Sequence, residues 1–219
     1  MRLLIVSDIH GRVEVLERVI GREGPDLVLI AGDMASYSGM RDWRDVADVI
    51  GRAGVRAVAV PGNVDDPEAI GEHLGGDFVV IHADAVEVGG LLIAGVGGGT
   101  GFPSLGHPHY TDEHIGEELR RLEERLGNRR VHILLTHTPP YGTKVDVLYS
   151  GEHAGSVNIR KFIEARQPIL NACGHVHEAR GIDRIGETTI INPGPLMWRY
   201  YATAEIEKDK LTNIEMKRL

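Results

Sequence analysis

The sequence of 219 residues predicts an α/β fold with a largely parallel sheet. Two observations lead to this prediction. Short runs of Val, Ile and Leu recur along the chain, and their near-continuous apolar character is typical of strands buried on both faces of a sheet. Segments with helical periodicity, charged on one side and apolar on the other, lie between several of these runs. Strands and helices that alternate in this way form parallel sheets.

Five apolar runs are the predicted core strands. Each is far shorter than the roughly 18 apolar residues that a membrane-spanning helix needs. In chain order they comprise residues 3–6, 27–31, 55–60, 131–135 and 168–173. Helical patterns occupy residues 13–20, 42–50 and 112–126, and Ser156 is the predicted N-cap of a further helix that ends at Ala165.

Two helix-poor regions predict a second, mixed or antiparallel sheet that packs against the first. Residues 78–94 contain three short apolar runs, and Gly89-Gly90 between the last two is a hairpin signal. Residues 188–216 contain three more runs separated by turn residues. Because the chain contains no internal repeat, low-complexity segment or linker, we predict one domain over residues 1–219.

Composition and charge narrow the possible partners. With 24 basic and 32 acidic residues the net charge is −8, which disfavours nucleic acid polymers and acidic membrane surfaces. A small anionic substrate stays possible where a local cation outweighs this field. Cys173 is the single cysteine, so an internal disulfide and a Cys-based zinc cluster are excluded. No apolar span and no export signal follow Met1, which predicts a cytoplasmic protein without a membrane segment.

A side chain able to bind metal follows each core strand. The seven candidates are Asp8 and His10, then Asp33, Asn63 and His137, then His175 and His177. Ligands bind at the carboxyl ends of strands in open α/β sheets, so five strands could deliver these side chains to one crevice. Taken singly, an Asp or Asn after a strand commonly caps a turn or helix, and His137 could be a core histidine. Five such strand ends in one chain favour a shared site.

These blocks resemble a known family. Asp-x-His, Gly-Asp, Gly-Asn, a His after a mid-chain strand and Gly-His-x-His, in this order and spacing, resemble the calcineurin-like metallophosphoesterase superfamily over residues 3–194. The small single-domain prokaryotic phosphoesterases are the most similar type. The resemblance implies a four-layer α/β/β/α sandwich of two mixed sheets, with two divalent metal ions at its site.

The resemblance also implies the role of each ligand. One metal would be held by Asp8, His10, Asp33 and His177, and the other by Asp33, Asn63, His137 and His175. Asp33 would bridge the metals, and Asp33, Asn63 and His137 are the expected catalytic residues. Carboxylate, amide and imidazole ligands suit Mn²⁺ first, with Fe²⁺, Zn²⁺ or Ni²⁺ as alternatives. Two cations about 3.5–4 Å apart bind a hydroxide between them and hold phosphate oxygens during in-line displacement.

One position departs from the family pattern. Many members carry a His directly after Gly-Asn, where it can stabilise charge or protonate the leaving group, and here that residue is Val64. General acid catalysis contributes about 10²–10⁴-fold, so we expect a preference for good leaving groups or another proton donor. His107, His109 and Tyr141 are the candidates for contact with the substrate, although an exposed loop equally explains the two histidines. Asp65 either supports a ligand or caps a turn.

The predicted function is metal-dependent hydrolysis of small phosphodiesters through a dinuclear site and a bridging hydroxide. A phosphomonoesterase is the nearest alternative, since only Val64 and the habits of the family favour diesters. A non-catalytic interaction scaffold of the same fold is the alternative from another class. The filled ligand set argues against that scaffold.

Overall fold

The computed structural model describes residues 1–38, 40, 42–71, 73–74 and 77–219. Its helices are α1 (Val13–Glu23), α2 (Trp43–Ala53), α3 (Asp112–Leu126) and α4 (Val157–Arg166). Its strands are β1 (Arg2–Val6), β2 (Leu27–Ala31), β3 (Arg56–Val60), β4 (His73–Leu74), β5 (Phe78–Val80), β6 (Asp84–Val88), β7 (Leu91–Val96), β8 (Ile133–Thr136), β9 (Leu170–Ala172), β10 (Gly181–Ile185), β11 (Thr188–Asn192), β12 (Tyr200–Glu207) and β13 (Lys210–Arg218).

The strands form two mixed sheets. Within the described residues, the first sheet has seven strands in the order β13-β12-β1-β2-β3-β5-β4, and its central strands β1, β2, β3 and β5 are parallel. The second sheet has six strands in the order β10-β11-β9-β8-β7-β6, with β7, β8, β9 and β11 parallel. Helices α1 and α2 connect parallel neighbours of the first sheet, and α3 and α4 do the same in the second.

Successive side chains of a strand point to opposite faces of its sheet, and the contacts of these faces arrange the molecule in four layers. Leu4 and Ile30 lie in the apolar cluster that also contains the buried side chains of α1 and α2. Leu3 and Leu29, on the opposite face, lie in a cluster shared with the second sheet. The outer face of the second sheet packs against α3 and α4, for example through Leu134. Three apolar interfaces therefore separate four layers, and the predicted α/β/β/α sandwich is confirmed.

Local signals correctly predicted how several elements begin and end. Helix α3 covers the predicted residues 112–126. The Ser156 hydroxyl accepts a hydrogen bond from the Ile159 amide at 3.0 Å, so it is the N-cap of α4 as predicted. Gly89 and Gly90 both adopt positive φ between β6 and β7, which confirms the hairpin. None of the helices in the described ranges is long and apolar enough to cross a membrane.

Sheet membership differs from the sequence-based expectation. Strands β12 and β13 were expected in the second sheet, but β12 pairs with β1, as in the contact of Ala202 with Ile5, and both strands extend the first sheet. Conversely, β8 and β9 belong to the second sheet rather than to one parallel sheet with β1–β3. Strands β4 and β10 were not predicted. Hydrophobic periodicity indicates which faces of a strand are buried. The strand with which it pairs depends instead on contacts between residues far apart in the sequence.

Candidate metal centre

The seven predicted ligands lie together, although they come from both sheets. Asp8 and His10 follow β1, Asp33 follows β2 and Asn63 follows β3, while His137 follows β8 and the pair His175 and His177 follows β9. Contacts of 3.1 to 3.9 Å between polar atoms connect all seven side chains into one cluster. The carboxyl ends of strands from two facing sheets therefore meet at one site.

Four of these residues have unusual backbone conformations. Asp8, His10, Asp33 and His175 have φ of 53°, 44°, 55° and 68°, in the left-handed region that favours glycine. The Asp8 amide donates to the Gly32 carbonyl and the His10 amide donates to the Asp33 carbonyl, both at 3.0 Å, so the loops after β1 and β2 support each other. Strain of this kind costs about 1–3 kcal/mol per residue and is concentrated at functional sites.

The first group of candidate ligands is centred on Asp8. Its Oδ1 lies 3.1 Å from His177 Nε2 and 3.9 Å from His10 Nε2. One ligand atom from each of these three residues lies within 4.8 Å of the others. The side chains of Asp8 and His10 are almost wholly buried, whereas that of His177 is 20% exposed. The group can therefore hold a cation that also faces solvent.

The second group is centred on Asp33 and His137. Asp33 Oδ2 lies 3.5 Å from His137 Nε2 and 3.6 Å from His10 Nε2, so this oxygen faces imidazoles of both groups. Asn63 extends the second group, because its Oδ1 lies 3.2 Å from His137 Nε2 and 3.1 Å from His175 Nδ1. Asp8, Asp33 and His137 also bring ligand atoms within 4.8 Å of one another, so the two groups are contiguous.

Main-chain and hydroxyl groups orient the ligands from behind. His137 Nδ1–H donates to the Ala31 carbonyl at 2.7 Å, and His175 Nε2–H donates to the Thr100 carbonyl at 3.1 Å. The opposite ring nitrogens are thereby turned toward the cluster, as is usual for metal-binding histidines. The Ser7 hydroxyl donates to Asp8 Oδ2 at 2.6 Å, which directs the other carboxylate oxygen toward His177.

Glycines leave the space that the ligands occupy. A Cβ atom on Gly62 would collide with Asp33 Oδ1, and one on Gly32 would collide with the His137 ring. A Cβ on Gly99 would come 2.6 Å from Asn63 Oδ1. Real Cβ atoms do not approach other atoms so closely, so the ligand positions depend on glycine at these places. The Gly residues beside the Asp and Asn of each block therefore have a packing role as well as a turn role.

The site concentrates buried negative charge. Burial raises the pKa of Asp33, but the charge of His137 and its hydrogen bond outweigh burial and hold that pKa well below the usual range. Burial also raises the pKa of Asp8, but the hydrogen bond from His177 and the charge of His137 outweigh burial and lower this pKa below its usual range. Burial lowers the pKa of His137, yet the charge of Asp33 reverses this and raises it to about 9. A proton on His137 thus compensates the ionised carboxylates.

The residues fit divalent metal ions. Two buried carboxylates, one amide oxygen and four imidazoles offer oxygen and nitrogen donors without thiolate, the set preferred by borderline divalent cations. Burial, with the charge of His137, lowers the pKa of His175 to about 4, so this imidazole stays neutral and can bind a cation. A bound cation would supply the positive charge that His137 otherwise supplies as a proton.

A cavity of about 720 Å³ opens beside the cluster. Asp33, Asn63, His175 and His177 are the candidate ligands that line it. The other lining residues lie in loops and are largely apolar, and Phe102 is one of them. A cavity of this size accommodates a small organic molecule rather than a bare ion. Part of the candidate metal centre thus lines a cavity large enough for a small molecule.

The residues predicted to contact the substrate lie at different distances from this cavity. His107 lines a smaller cavity of about 360 Å³ that shares Asn63 with the larger one, and its ring packs 4.7 Å from that of His114. His109 is exposed on the same loop. The Tyr141 ring packs 5.4 Å from that of His153. Neither His109 nor Tyr141 lines the cavity that contains Asp33, and contact of all three with the substrate stays a prediction.

Asp65 and Val64 complete the turn after β3. Asp65 accepts hydrogen bonds from the amides of Ala35 and Gly62, both at 2.8 Å, so it caps this turn and ties it to the loop after β2. Burial and the charge of Asp33 raise the pKa of Asp65 to about 6. The Val64 amide donates to Asp33 Oδ1 at 3.0 Å. The backbone of this turn therefore positions Asp33, whatever side chain stands at position 64.

Sequence reasoning missed the aromatic residues around the site. Tyr37 stacks on His10 with ring centroids 4.1 Å apart, and its hydroxyl lies 3.0 Å from His10 Nε2. Phe102 meets the His175 ring edge-on at 5.9 Å, and Trp198 meets the His177 ring at 5.5 Å. Tyr37 and Phe102 lie outside the predicted helices and strands, and Trp198 begins a run that was predicted as a strand, so no periodic pattern marks any of the three as part of the site. The ligand motifs themselves give no signal for these contacts.

Fold and site together define an α/β/β/α protein whose candidate metal ligands come from the strand ends of two facing sheets. The chain matches the calcineurin-like phosphoesterases over residues 1–179 and belongs to that family. The resemblance inferred from the motifs is thereby confirmed. Membership supports a metal-dependent phosphoesterase and implies a small substrate.

Known proteins are similar to most of this chain. An uncharacterized protein of Methanocaldococcus jannaschii is 31% identical over 208 residues, which cover 93% of this chain and 92% of that protein. A probable cyclic nucleotide phosphodiesterase of Synechococcus is 28% identical over 169 residues, covering 72% of this chain and 60% of the relative. A Thermus thermophilus crystal structure superposes with a TM-score of 0.74 at 21% identity, covering 99% and 98% of the two chains, and shares the fold.

Proposed function

We propose that this protein hydrolyses small phosphodiesters at a two-metal centre. Asp8, His10, Asp33 and His177 would hold one cation, and Asp33, Asn63, His137 and His175 the other. The observation that carries the proposal is the position of Asp33 Oδ2, 3.6 Å from His10 Nε2 and 3.5 Å from His137 Nε2. A carboxylate between two imidazole groups is the arrangement expected of a bridging ligand. When bound, two divalent cations activate a water molecule and polarise the phosphoryl oxygens.

The orientation of the histidines supports a ligand role rather than an acid role. Because the Ala31 and Thr100 carbonyls accept the N–H groups of His137 and His175, the other nitrogen of each ring is the one that faces the cluster. When a cation occupies the site, that nitrogen gives its lone pair to the cation and so has no proton to give to a leaving group. With Val64 after Asn63, the proton has to come from solvent or from another side chain. We therefore expect substrates with good leaving groups.

The charge of the cavity supports diesters over monoesters. Among the described residues that line it there is no Lys or Arg, and Glu178 adds a carboxylate. A phosphomonoester dianion carries one more negative charge than a diester and gains no protein cation in return. A relative of this chain bears the name probable cyclic nucleotide phosphodiesterase, which agrees with a diester substrate. The finer assignments are part of the same proposal: Mn²⁺ as the first metal, contact of His107, His109 and Tyr141 with substrate, and a reducing, cytoplasmic location.

The test uses metal-stripped protein with Mn²⁺, Zn²⁺, Ni²⁺ or Mg²⁺ added back separately. Hydrolysis of bis(p-nitrophenyl) phosphate and of p-nitrophenyl phosphate is then compared as kcat/KM, alongside Asp33→Asn. We expect metal-restored turnover of the diester that the variant loses. Dominant turnover of the monoester would overturn the substrate class but keep the hydrolase. Metal binding without turnover of either ester would overturn the enzyme and favour an interaction scaffold.

A further inference from the structure

The candidate ligand His10 lacks a contact that two other histidines of the cluster have. His137 and His175 each donate one ring N–H to a main-chain carbonyl, which turns the other ring nitrogen toward the cluster. In His10 the nitrogen that faces away from the cluster is Nδ1, which is buried and has no hydrogen-bond partner within the part of the chain that the structure describes. Metal-binding imidazoles almost always have such a partner, because it fixes the orientation of the ring. Another contact therefore has to hold the His10 ring.

The ring of Tyr37 lies flat against the His10 imidazole. The two ring centroids are 4.1 Å apart and the ring planes are inclined by 18°. The side chain of His10 is only 2% exposed, whereas Tyr37 is 67% exposed, so Tyr37 lies on the solvent side of the pair and covers His10. The His177 ring meets the same imidazole edge-on at 5.4 Å. Rotation of an imidazole about its Cβ–Cγ bond has broad minima, so packing decides its orientation where no hydrogen bond does.

The hydroxyl group of Tyr37 lies at the other nitrogen of His10. Its Oη is 3.0 Å from Nε2, the atom that also faces Asp8 Oδ1 at 3.9 Å and Asp33 Oδ2 at 3.6 Å. A cation held by His10 and these carboxylates takes the Nε2 lone pair, so the cation and the hydroxyl group cannot both use that nitrogen. Tyr37 therefore contacts His10 in two ways that affect metal binding oppositely. The ring orients the ligand, and the hydroxyl group competes for it.

Main-chain hydrogen bonds fix the loop of Tyr37 against the loop of His10. The His10 and Gly11 amides, after β1, donate to the Asp33 and Met34 carbonyls, after β2, both at 3.0 Å. These bonds stand shortly before Tyr37 in the chain, so the segment that carries Tyr37 starts from an anchored position. The loop after β2 thus supplies both a candidate ligand, Asp33, and the ring that covers a second one.

We propose that Tyr37 is a positioning residue of the candidate metal centre: its ring holds His10 in the orientation that binds the first cation, and its hydroxyl group occupies Nε2 until that cation binds. The first cation is the one assigned to Asp8, His10, Asp33 and His177. This inference rests on the proposed two-metal centre and specifies how one half of it is assembled. Tyr37 acts through His10 and takes no part in bond cleavage.

Calorimetric titration of metal-stripped protein with Mn²⁺ tests both contacts, because two variants should change the affinity in opposite directions. Tyr37→Ala removes the ring together with the hydroxyl group. Loss of a group that supports a metal ligand costs about 10–100-fold in affinity, so we expect the first cation to bind at least about tenfold more weakly. The second cation should be nearly unaffected, because His137 and His175 keep their own carbonyl partners.

Tyr37→Phe keeps the ring and removes only the competing hydrogen bond. The net contribution of one hydrogen bond corresponds to about two- to tenfold in a binding constant. We therefore expect Tyr37→Phe to bind the first cation more tightly than the unaltered protein by about this factor. Tyr37→Leu, which has apolar bulk but no flat ring, should resemble Tyr37→Ala and replaces it if the alanine variant does not fold.

Electron paramagnetic resonance identifies which cation is lost. Two Mn²⁺ ions bridged by one carboxylate are magnetically coupled, whereas an isolated Mn²⁺ ion gives a hyperfine-resolved spectrum. At an Mn²⁺ concentration that just fills both positions of the unaltered protein, Tyr37→Ala should show the isolated ion and Tyr37→Phe the coupled pair. Tyr149→Ala is the matched control, because Tyr149 is 87% exposed and lies in the loop between β8 and α4. Its affinities and spectrum should equal those of the unaltered protein.

The possible failures of the inference and of the proposed function are distinct. Unchanged binding of both cations in Tyr37→Ala and Tyr37→Leu would overturn the positioning role while the two-metal centre stands. Binding in Tyr37→Phe as weak as in Tyr37→Ala would also overturn it, since the hydroxyl group rather than the ring would then support the cation. An unaltered protein that binds one Mn²⁺ ion, or none, would overturn the proposed two-metal centre instead.

Discussion

The Nε2 atom of His137 lies 3.5 Å from Oδ2 of Asp33, although the two residues come from different sheets. Asp33 follows β2 in the first sheet, and His137 follows β8 in the second. The contact exists only because the inner faces of the two sheets pack on each other. The candidate metal centre is therefore assembled by the same packing that builds the core, and any change that shifts the sheets also shifts the ligands.

Asp33→Asn should remove the bridging carboxylate while keeping its size and its left-handed backbone, which Asn tolerates. Loss of residues that merely support ligands costs 10–100-fold in metal affinity, so we expect a loss of more than about 100-fold for a bridging ligand. Isothermal titration of metal-stripped protein with Mn²⁺ measures this. Asp209→Asn is the matched control, because Asp209 also has positive φ and lies in the turn between β12 and β13. Equal Mn²⁺ affinity in the two variants would contradict the bridging role.

Gly62→Ala should disturb the metal centre without altering a ligand. The added Cβ collides with Asp33 Oδ1, so either Asp33 or the turn after β3 has to move. We expect at least tenfold weaker Mn²⁺ binding and a stability loss of about 1–3 kcal/mol, typical of overpacking. Gly21→Ala lies in α1 with open space around it and should be neutral or stabilising by up to about 1 kcal/mol. Unchanged Mn²⁺ affinity in Gly62→Ala would mean that Asp33 is not held as described.

The stability of the metal-free protein should depend on pH through the histidines. The folded pKa of His137, about 9, lies above its unfolded value of 6.5, so its contribution is full below pH 6.5 and is lost as pH rises through 9. The folded pKa of His175, about 4, lies below 6.5, so its contribution is full above pH 6.5 and is lost as pH falls through 4. Stability from this pair should therefore be greatest near pH 6.5.

Thermal unfolding of metal-free protein from pH 6.5 to 9 measures the alkaline half of this dependence. Tm should fall over this range, and the fall should be smaller in His137→Gln. Saturating Mn²⁺ should also reduce it, because the cation replaces the proton near Asp33. A metal-free Tm that rises steadily from pH 6.5 to 9 would show that His137 is not protonated beside Asp33.

Val64→His should supply a general acid at position 64, directly after Asn63. We expect rates for esters of poorly acidic alcohols to rise by up to about 100-fold, while p-nitrophenyl esters change little because their leaving group needs no proton. The dependence of log kcat on leaving-group pKa measures the effect, with Val64→Gln as a polar variant unable to act as an acid. The same slope in all three proteins would mean that an imidazole at position 64 does not reach the leaving group.

His109→Ala tests the alternative proton donor. If His109 protonates the leaving group, its removal should steepen the dependence of log kcat on leaving-group pKa. His107→Ala is the comparison, since His107 lies on the same loop and lines the cavity that shares Asn63. A slope unchanged by His109→Ala would remove His109 from the mechanism and leave solvent or another side chain as the proton source.

Much of the fold could be predicted because its signals are local. The apolar run before Asp33 forms β2 over the predicted residues 27–31, and the periodicity of residues 112–126 forms α3. The side chains of Asp8 and Asp33 were recognisable as candidate ligands because each stands two residues after the end of a buried strand. The partner of β12 was not predictable, since its pairing with β1 joins opposite ends of the chain. The contact of Tyr37 with His10 was not predictable either, because the two residues lie in different loops.

The sequence by itself determined which segments become strands and helices and which polar side chains stand at the strand ends. These properties follow from periodicity, capping and the order of residues, all of which act over a few positions. Only the tertiary structure decided that two sheets, rather than one, deliver the ligands, and that Tyr37 and Phe102 flank them. Such contacts depend on how whole layers pack, because sequence separation says nothing about the distance between Asp33 and His137 once the inner faces of the sheets have met.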